Sequence, residues 1–262
     1  MEIKNELKIA LLQQEIAWEN LPANLEYFES IISNLSPQID IVVLPEMFTT
    51  GFSMNPEKYE EESLISAINT MKTWSATCQK VICGSVMFKE NGSYFNRFCW
   101  FEPNKKEEFY DKAHLFRMGD ENLHYTKGNK QVIINFKGWK IAPFICYDLR
   151  FPVWMRRNVN YDYDLIILVA NWPERRAKHW KALTLARAIE NQSYLVAVNR
   201  VGYDGNGVLH SGDSAALNPL GEVLLDAKSE IGTFEINLNY PELLKIRENF
   251  PVGLDADTFQ IN

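Results

Sequence analysis

An α/β fold, with sheets inside and helices outside, is predicted for this 262-residue chain by three observations. Short apolar runs of strand length alternate with longer amphipathic stretches of helical period in both halves. The run Leu165–Ala170 is apolar throughout, as expected of a strand covered on both faces. No Pro/Ser/Gly-rich linker and no low-complexity segment divides the halves, so residues 1–262 are expected to form one domain with an extended C-terminal tail.

Residues 9–12 read as a buried strand. Leu21, Leu25, Phe28, Ile31, Ile32 and Leu35 then recur three or four apart, behind Asn20 and with Pro22 in the first turn, which makes an amphipathic helix. Residues 39–44 form a second strand, ended by Pro45-Glu46. Leu64, Ile68, Met71 and Cys78 share one side of another helix. The strand at 81–88 reaches Asn91-Gly92, a strong hairpin signal, and 94–101 runs back. Residues 107–112 add a strand that leaves Lys112 at its end. Residues 113–128 read as a polar, irregular loop, and loops of that length in a compact domain are often functional.

Residues 131–136 and 139–145 flank a Lys137-Gly138 turn, and the second of these strands runs straight into Cys146. Pro143 cannot donate to a strand ladder, so an edge, a bulge or an outward-facing position is expected there. Pro152 is expected to open a helix over 153–160. After Leu165–Ala170 comes Asn171-Trp172-Pro173, then a helix over 177–192 whose apolar residues lie on several sides and predict cover on more than one. A strand at 194–198, a Gly-rich loop at 202–212, strands at 214–218, 223–227 and 233–238, and a short helix at 242–248 complete the chain.

A hydrophobic fraction of 46%, a charged fraction of 23% and a net charge of −7 are those of a globular protein without the basic patches of a nucleic-acid binder. No apolar run approaches the roughly 20 residues needed to cross a bilayer, so no membrane partner is expected. The first residues lack the layout of a signal peptide. Cys78, Cys83, Cys99 and Cys146 show neither a CxxC pair nor metal-ligand spacing and read as reduced thiols, which predicts a cytoplasmic protein.

Glu46, Lys112 and Cys146 each follow an apolar strand directly. Singly, these are a loop carboxylate, a surface amine and a structural thiol. If the strands run the same way, their ends converge on one pocket, where the combination has a chemistry. A thiol with an ordinary pKa near 8.5 is only a few per cent thiolate at neutral pH. A carboxylate such as Glu46 can take the Cys146 proton during attack on a carbonyl and return it to a leaving amine. The ammonium of Lys112 and the Tyr147 backbone N–H would stabilise the oxyanion, each such donor being worth about 2.7–4 kcal/mol.

Leu44-Pro45-Glu46, then Tyr110-Asp111-Lys112-Ala113-His114-Leu115-Phe116, then Cys146-Tyr147-Asp148-Leu149-Arg150-Phe151-Pro152, resemble the nitrilase superfamily of carbon–nitrogen hydrolases. The segments Ala186-Arg187-Ala188-Ile189-Glu190-Asn191-Gln192 and Asn218-Pro219-Leu220-Gly221-Glu222 resemble it too, so the likeness runs from Ile9 to about Pro251. It implies a four-layer αββα sandwich, a Glu-Lys-Cys triad, a homodimer formed by stacking sheet-flanking helices, and neither metal nor organic cofactor. Asn171-Trp172-Pro173 and the loop Arg117 through Tyr125 are similar to the omega-amidase branch, which hydrolyses the terminal amide of 2-oxo acid monoamides such as 2-oxoglutaramate and 2-oxosuccinamate. The resemblance also implies a second glutamate after the lysine, and Glu121, seven residues before Gly128, occupies that place. Its expected role is to orient Lys112 or the substrate amide. The loop at 116–125 differs from that of the animal omega-amidases, which leaves the substrate range more open than the triad.

A substrate carboxylate calls for a cation. Arg175 and Arg176 are the candidates, although either could be a surface residue at a helix start, and Trp172 is a candidate pocket wall. Arg150 is expected to be structural, pairing near Asp148, and His179 and Trp180 to pack or bond within their helix. Other readings stay open: another small amide, an N-carbamoyl compound or a nitrile as substrate; an isochorismatase-like cysteine hydrolase, disfavoured by Glu46 in place of Asp; or a catalytically silent binding protein on the same fold.

Overall fold

The computed structural model describes residues 3–103 and 107–261. The first half runs β1 (Glu6–Gln13), α1 (Leu21–Ile32), β2 (Ile41–Val43), α2 (Glu61–Cys78), β3 (Val81–Glu90), β4 (Ser93–Phe101) and β5 (Glu108–Asp111). The segment after β5 carries a 3-10 turn, Arg117–Gly119, and a one-turn helix, α3 (Glu121–His124). There follow β6 (Ile134–Phe136), β7 (Trp139–Ile145), a 3-10 turn Cys146–Arg150, α4 (Pro152–Met155), β8 (Leu165–Ala170), α5 (Ala177–Asn191) and β9 (Tyr194–Asn199). The chain ends through β10 (Val201–Tyr203), β11 (Leu209–Ser211), β12 (Ala215–Leu217), β13 (Val223–Asp226), β14 (Gly232–Asn239) and α6 (Tyr240–Asn249).

Two six-stranded sheets result, ordered β14-β1-β2-β3-β4-β5 and β13-β12-β9-β8-β7-β6. Alternation along each strand sorts side chains between layers, because successive residues point to opposite faces. On β1, Leu7, Ile9 and Leu11 enter the core shared with the second sheet, whereas Ala10 and Leu12 meet Phe28 and Ile32 of α1 and Ile68 and Met71 of α2. Trp180 and Ala188 of α5 cover the far side of β8 and β9. The layers are therefore helix, sheet, sheet, helix, the αββα sandwich that the resemblance implies.

Strand direction positions the site. β1, β2 and β3 are mutually parallel, as are β7, β8 and β9. β5 is antiparallel to β4, itself antiparallel to β3, so β5 ends on the same side as β2. Turn chemistry sets these registers: Asn91 and Gly92 both have positive φ, as do Lys137 and Gly138, the requirement of the tight hairpin turns that join β3 to β4 and β6 to β7. Asn20 Oδ1 accepts the Ala23 N–H at 3.3 Å and starts α1. Pro143 pairs with β8 on one side only, since β6 ends its pairing at Ile141; the missing donor falls on that free edge.

Several expectations change. The helix after Pro152 is a single turn, because Arg157 N–H is taken by Asn191 Oδ1 and Asn158 bridges to Tyr161. The Gly-rich loop at 202–212 holds the β10–β11 hairpin. In this chain the outer face of α5 is open, with Leu185 and Ile189 exposed, where cover on several sides is the expectation. The last strand, β14, crosses back to pair with β1 along its whole length.

Candidate active site

Glu46, Lys112 and Cys146 lie together where the sheets' parallel strands end, and Glu121 joins them. Lys112 Nζ donates to Glu46 Oε1 at 2.8 Å and to Glu121 Oε1 at 3.0 Å, and all three side chains are fully buried. Glu46 Oε2 accepts the Asn171 backbone N–H at 2.7 Å, and the Asn171 carboxamide donates to the Glu46 carbonyl. Glu121 Oε2 accepts the Phe116 N–H at 2.6 Å, which turns α3 inward and buries an acid that in an irregular loop would be solvated. Gly128 closes this loop against β5: a Cβ there would lie 2.1 Å from the Asp111 carbonyl, so the backbone approach needs glycine.

Cys146 opens the 3-10 turn with φ of +43°, a left-handed conformation costing a non-glycine residue roughly 1–2 kcal/mol. Asp148 holds the turn: its Oδ2 accepts the Ile145 N–H at 3.1 Å and the Tyr110 hydroxyl at 2.7 Å, and its Oδ1 accepts the His114 N–H at 3.0 Å. One buried carboxylate thereby ties the nucleophile's turn to the segment carrying Lys112. The N–H groups of Cys146 and Tyr147, at the start of the turn, precede the first that can bond within it.

Burial pushes the Cys146 thiol well above its ordinary range, and the Glu46 carboxylate, close enough to hydrogen-bond it, adds to the effect against the pull of Lys112. Such a thiol is protonated at neutral pH and needs a base to attack. Burial by itself would lower Lys112, but Glu121, Glu46 and Cys146 outweigh it and hold the ammonium above its usual range. Glu121 is raised, by burial first and by Glu46, although Lys112 opposes. The Phe52 ring, 4.9 Å from Lys112 Nζ, gives the ammonium a further favourable face.

A cleft of about 230 Å³ leads from the surface to Cys146. Tyr147, Trp172, Arg175 and Arg176 line it as the sequence suggests, and so does Arg150. Arg150 departs from expectation: Asp148 is fully occupied elsewhere, and the Arg150 guanidinium instead lies 4.7 Å over Trp172 and meets His179 Nδ1 at 3.2 Å. Trp172 is both wall and core, 3% exposed, with Nε1 bonded to the Arg176 carbonyl. His179 and Trp180 bond outside their helix, Trp180 Nε1 to the Asp213 carbonyl. The Arg176 guanidinium is 5.0 Å over Phe116, and its pKa is lowered by burial and by repulsion from Arg175 and Arg150. Cys83 and Cys99 are buried thiols pushed up by desolvation, and Cys78 is half-buried. Among the described residues, no group of three or more His, Cys, Asp or Glu side chains is placed to hold a metal ion.

Nothing in the sequence singles out Asn96, whose carboxamide bonds both glutamates, or Asn199, and Asn171 is legible only as part of the Asn171-Trp172-Pro173 motif. Asn199 Oδ1 accepts the Trp172 N–H at 2.8 Å and its Nδ2 donates to the Trp172 carbonyl, which fixes the Asn171-Trp172-Pro173 turn. Their common signal is an asparagine within or just after a strand, too frequent a pattern to single out.

The carbon-nitrogen hydrolase family model matches residues 8–245. The chain is 46% identical to the omega-amidase YafV of Escherichia coli (strain K12), covering 97% of this chain and 98% of that protein. It is 32% identical to the 2-oxoglutaramate amidase of Bacillus subtilis (strain 168), covering 93% and 95%. In structure it superposes on XC1258 of Xanthomonas campestris, a CN-hydrolase superfamily protein with an arsenic adduct in its active site, with a TM-score of 0.95, 38% identity and coverage of 99% and 100%. This chain belongs to the carbon–nitrogen hydrolase family and is a hydrolytic enzyme of the nitrilase superfamily, with amidases among its near relatives.

Proposed function

We propose that this enzyme is an omega-amidase, hydrolysing the terminal amide of a small 2-oxo acid monoamide, 2-oxoglutaramate or 2-oxosuccinamate, to the acid and ammonia. The observation that carries this reading is the Lys112 ammonium clamped between two buried glutamates beside Cys146, beneath a cleft lined by three arginines. The relatives named omega-amidase and 2-oxoglutaramate amidase support it.

Cys146 Sγ attacks the amide carbon while its proton passes to Glu46. Lys112 and the Tyr147 N–H stabilise the oxyanion, with Glu121 keeping Lys112 in place. The carbon–nitrogen bond breaks as Glu46 returns the proton to nitrogen, ammonia departs, and a thioester remains. Glu46 then deprotonates a water; the new carbon–oxygen bond forms, the carbon–sulfur bond breaks, and the thiol recovers its proton. Arg176, with Arg175 and Arg150 near it, takes the substrate carboxylate, which would relieve their mutual repulsion, and Trp172 walls the chain of the substrate. No metal or organic cofactor enters this mechanism.

The enzyme works as one domain over residues 1–262 and as a homodimer whose interface covers Leu185 and Ile189 on α5; light scattering of the purified protein tests the dimer. Free cysteines support a cytoplasmic setting, and no helix among the described residues is long and apolar enough to cross a membrane.

Cys146→Ala is expected to lower ammonia release from 2-oxoglutaramate by roughly 10⁶-fold, the scale for deleting a triad nucleophile, while the melting temperature is kept. A panel adding neutral amides, N-carbamoyl compounds and nitriles, scored for ammonia, carbon dioxide and acid, fixes the substrate class. Activity persisting in Cys146→Ala would rule the mechanism out.

A further inference from the structure

We propose that Asn96 is a positioning residue for this reaction, a single carboxamide that spans Glu46 and Glu121 and fixes both on Lys112; the proposal rests on the hydrolytic mechanism above. Asn96 lies on β4 and is fully buried. Its Nδ2 donates to Glu46 Oε1 at 2.8 Å and to Glu121 Oε1 at 3.2 Å, and its main-chain carbonyl accepts the Lys112 N–H at 3.0 Å. One residue therefore touches both acids with its side chain and the Lys112 backbone with its carbonyl.

The orientation of this amide is determined by its own partners. Met47 N–H donates to Ser85 Oγ at 3.0 Å, and Ser85 Oγ donates to Asn96 Oδ1 at 2.8 Å. A carbonyl oxygen must face the hydroxyl proton, so the NH₂ group must face the carboxylates. Met47 follows Glu46 directly and has a positive φ, so the chain of bonds returns to the backbone that carries the base.

Charge explains why a carboxamide suits this position. Two buried carboxylates face one ammonium, leaving negative charge in excess where desolvation is costly. A second cation would bind Glu46 as an ion pair and make it a poorer base. Two neutral N–H donors stabilise the excess charge and leave the base free. The other titratable groups facing the pair are Cys146 and Tyr125, whose hydroxyl is engaged by the Ser53 carbonyl.

The test compares wild type, Asn96→Leu, Asn96→Asp, Ser85→Ala and Cys146→Ala on 2-oxoglutaramate across pH, with a thermal melt of each. Asn96→Leu should lower kcat by about 100-fold with little change in KM, as expected of a misplaced reacting group. Fewer donors make the carboxylate pair easier to protonate, so the acidic limb of the kcat/KM profile should move to higher pH by roughly half to one unit. Asn96→Asp adds a third carboxylate and should move that limb further. Ser85→Ala removes the bond that orients the amide, and with it the acceptor of the Met47 N–H, and should cost roughly 5-fold in kcat with the limb moving the same way. A folded Asn96→Leu with unchanged kcat and pH profile overturns the proposal. If Asn96→Leu does not fold, Ser85→Ala decides it: a lowered kcat and shifted limb uphold it, and an unchanged profile overturns it. The two failures read differently, because an active Cys146→Ala sinks the hydrolase mechanism, whereas an unaffected Ser85→Ala beside an inactive Cys146→Ala sinks only the role of Asn96.

Discussion

Two cavities among the described residues are lined by arginines, and the smaller of the two opens onto Cys146. The larger, about 390 Å³, lies against the C-terminal tail and includes Arg156, Arg157 and Arg247. Its guanidiniums are occupied: Arg157 Nε meets Asp162 at 2.7 Å, Arg247 meets Asp164 at 2.8 Å and two main-chain carbonyls, and Arg156 donates to the Glu190 carbonyl. In the cleft of about 230 Å³ above Cys146, Arg150, Arg175 and Arg176 have no carboxylate partner among the described residues, and burial together with the charges of Arg175 and Arg150 lowers the proton affinity of Arg176. The difference teaches that neither volume nor cation count marks a site. Donors left without counter-charge beside a nucleophile do, because an arriving anion satisfies them.

The comparison can be broken most severely at the floor of the smaller cavity. Lys112→Met would leave Glu46 and Glu121 buried without their cation, and breaking a buried pair costs about 3–5 kcal/mol, so denaturant unfolding should show a loss of that size along with the activity. An equally stable Lys112→Met would mean that the clamp is not under electrostatic load.

The wall of the same cavity should respond to acid. His210 has its pKa lowered from 6.5 to about 4, by burial first and then by Arg200, against Asp204 and the neighbouring backbone. The unfolded chain takes up the proton first, so this residue leaves stability unaffected above about pH 6.5. Stability then falls as pH drops from 6.5 to about 4, by roughly 3 kcal/mol, and levels off below. Hydrogen exchange in β10 and β11 should accelerate over that window, and His210→Gln should flatten the response.

Arginine exchanges sharpen the contrast at smaller magnitude. Arg176→Ala should raise KM for 2-oxoglutaramate roughly 10- to 100-fold, the worth of hydrogen bonds to a charged group, while a neutral amide of similar size is little affected. Equal losses on both substrates would place the carboxylate elsewhere. Arg157→Ala, in the larger cavity, should leave both kinetic constants unchanged and shift stability by about 1 kcal/mol or less, as its ion pair with Asp162 is partly exposed.

The meeting of Glu46, Lys112 and Cys146 is legible because each lies just beyond the end of a strand short enough to delimit. The hairpin turns at Asn91-Gly92 and Lys137-Gly138 were legible for a local reason, the positive φ that those turns demand. Arg150 departs from expectation because Asp148, the acid nearest to it along the chain, is not its partner in space. In three dimensions Asp148 is committed to Ile145, Tyr110 and His114, two of them from the segment around Lys112. Asn96 was invisible because its meaning lies in what stands across from it: Ser85 on the neighbouring strand, Glu46 beyond β2 and Glu121 on α3.

The sequence by itself determined the alternation of layers, the strand ends and the family, since all three follow from local periodicity and short contiguous motifs. Only the tertiary structure decided that β14 returns to pair with β1, that Lys112 bridges two buried acids, and which of the described arginines lack a carboxylate partner. Those are matters of distance and desolvation between groups far apart in the chain, and no periodicity in the intervening residues encodes them.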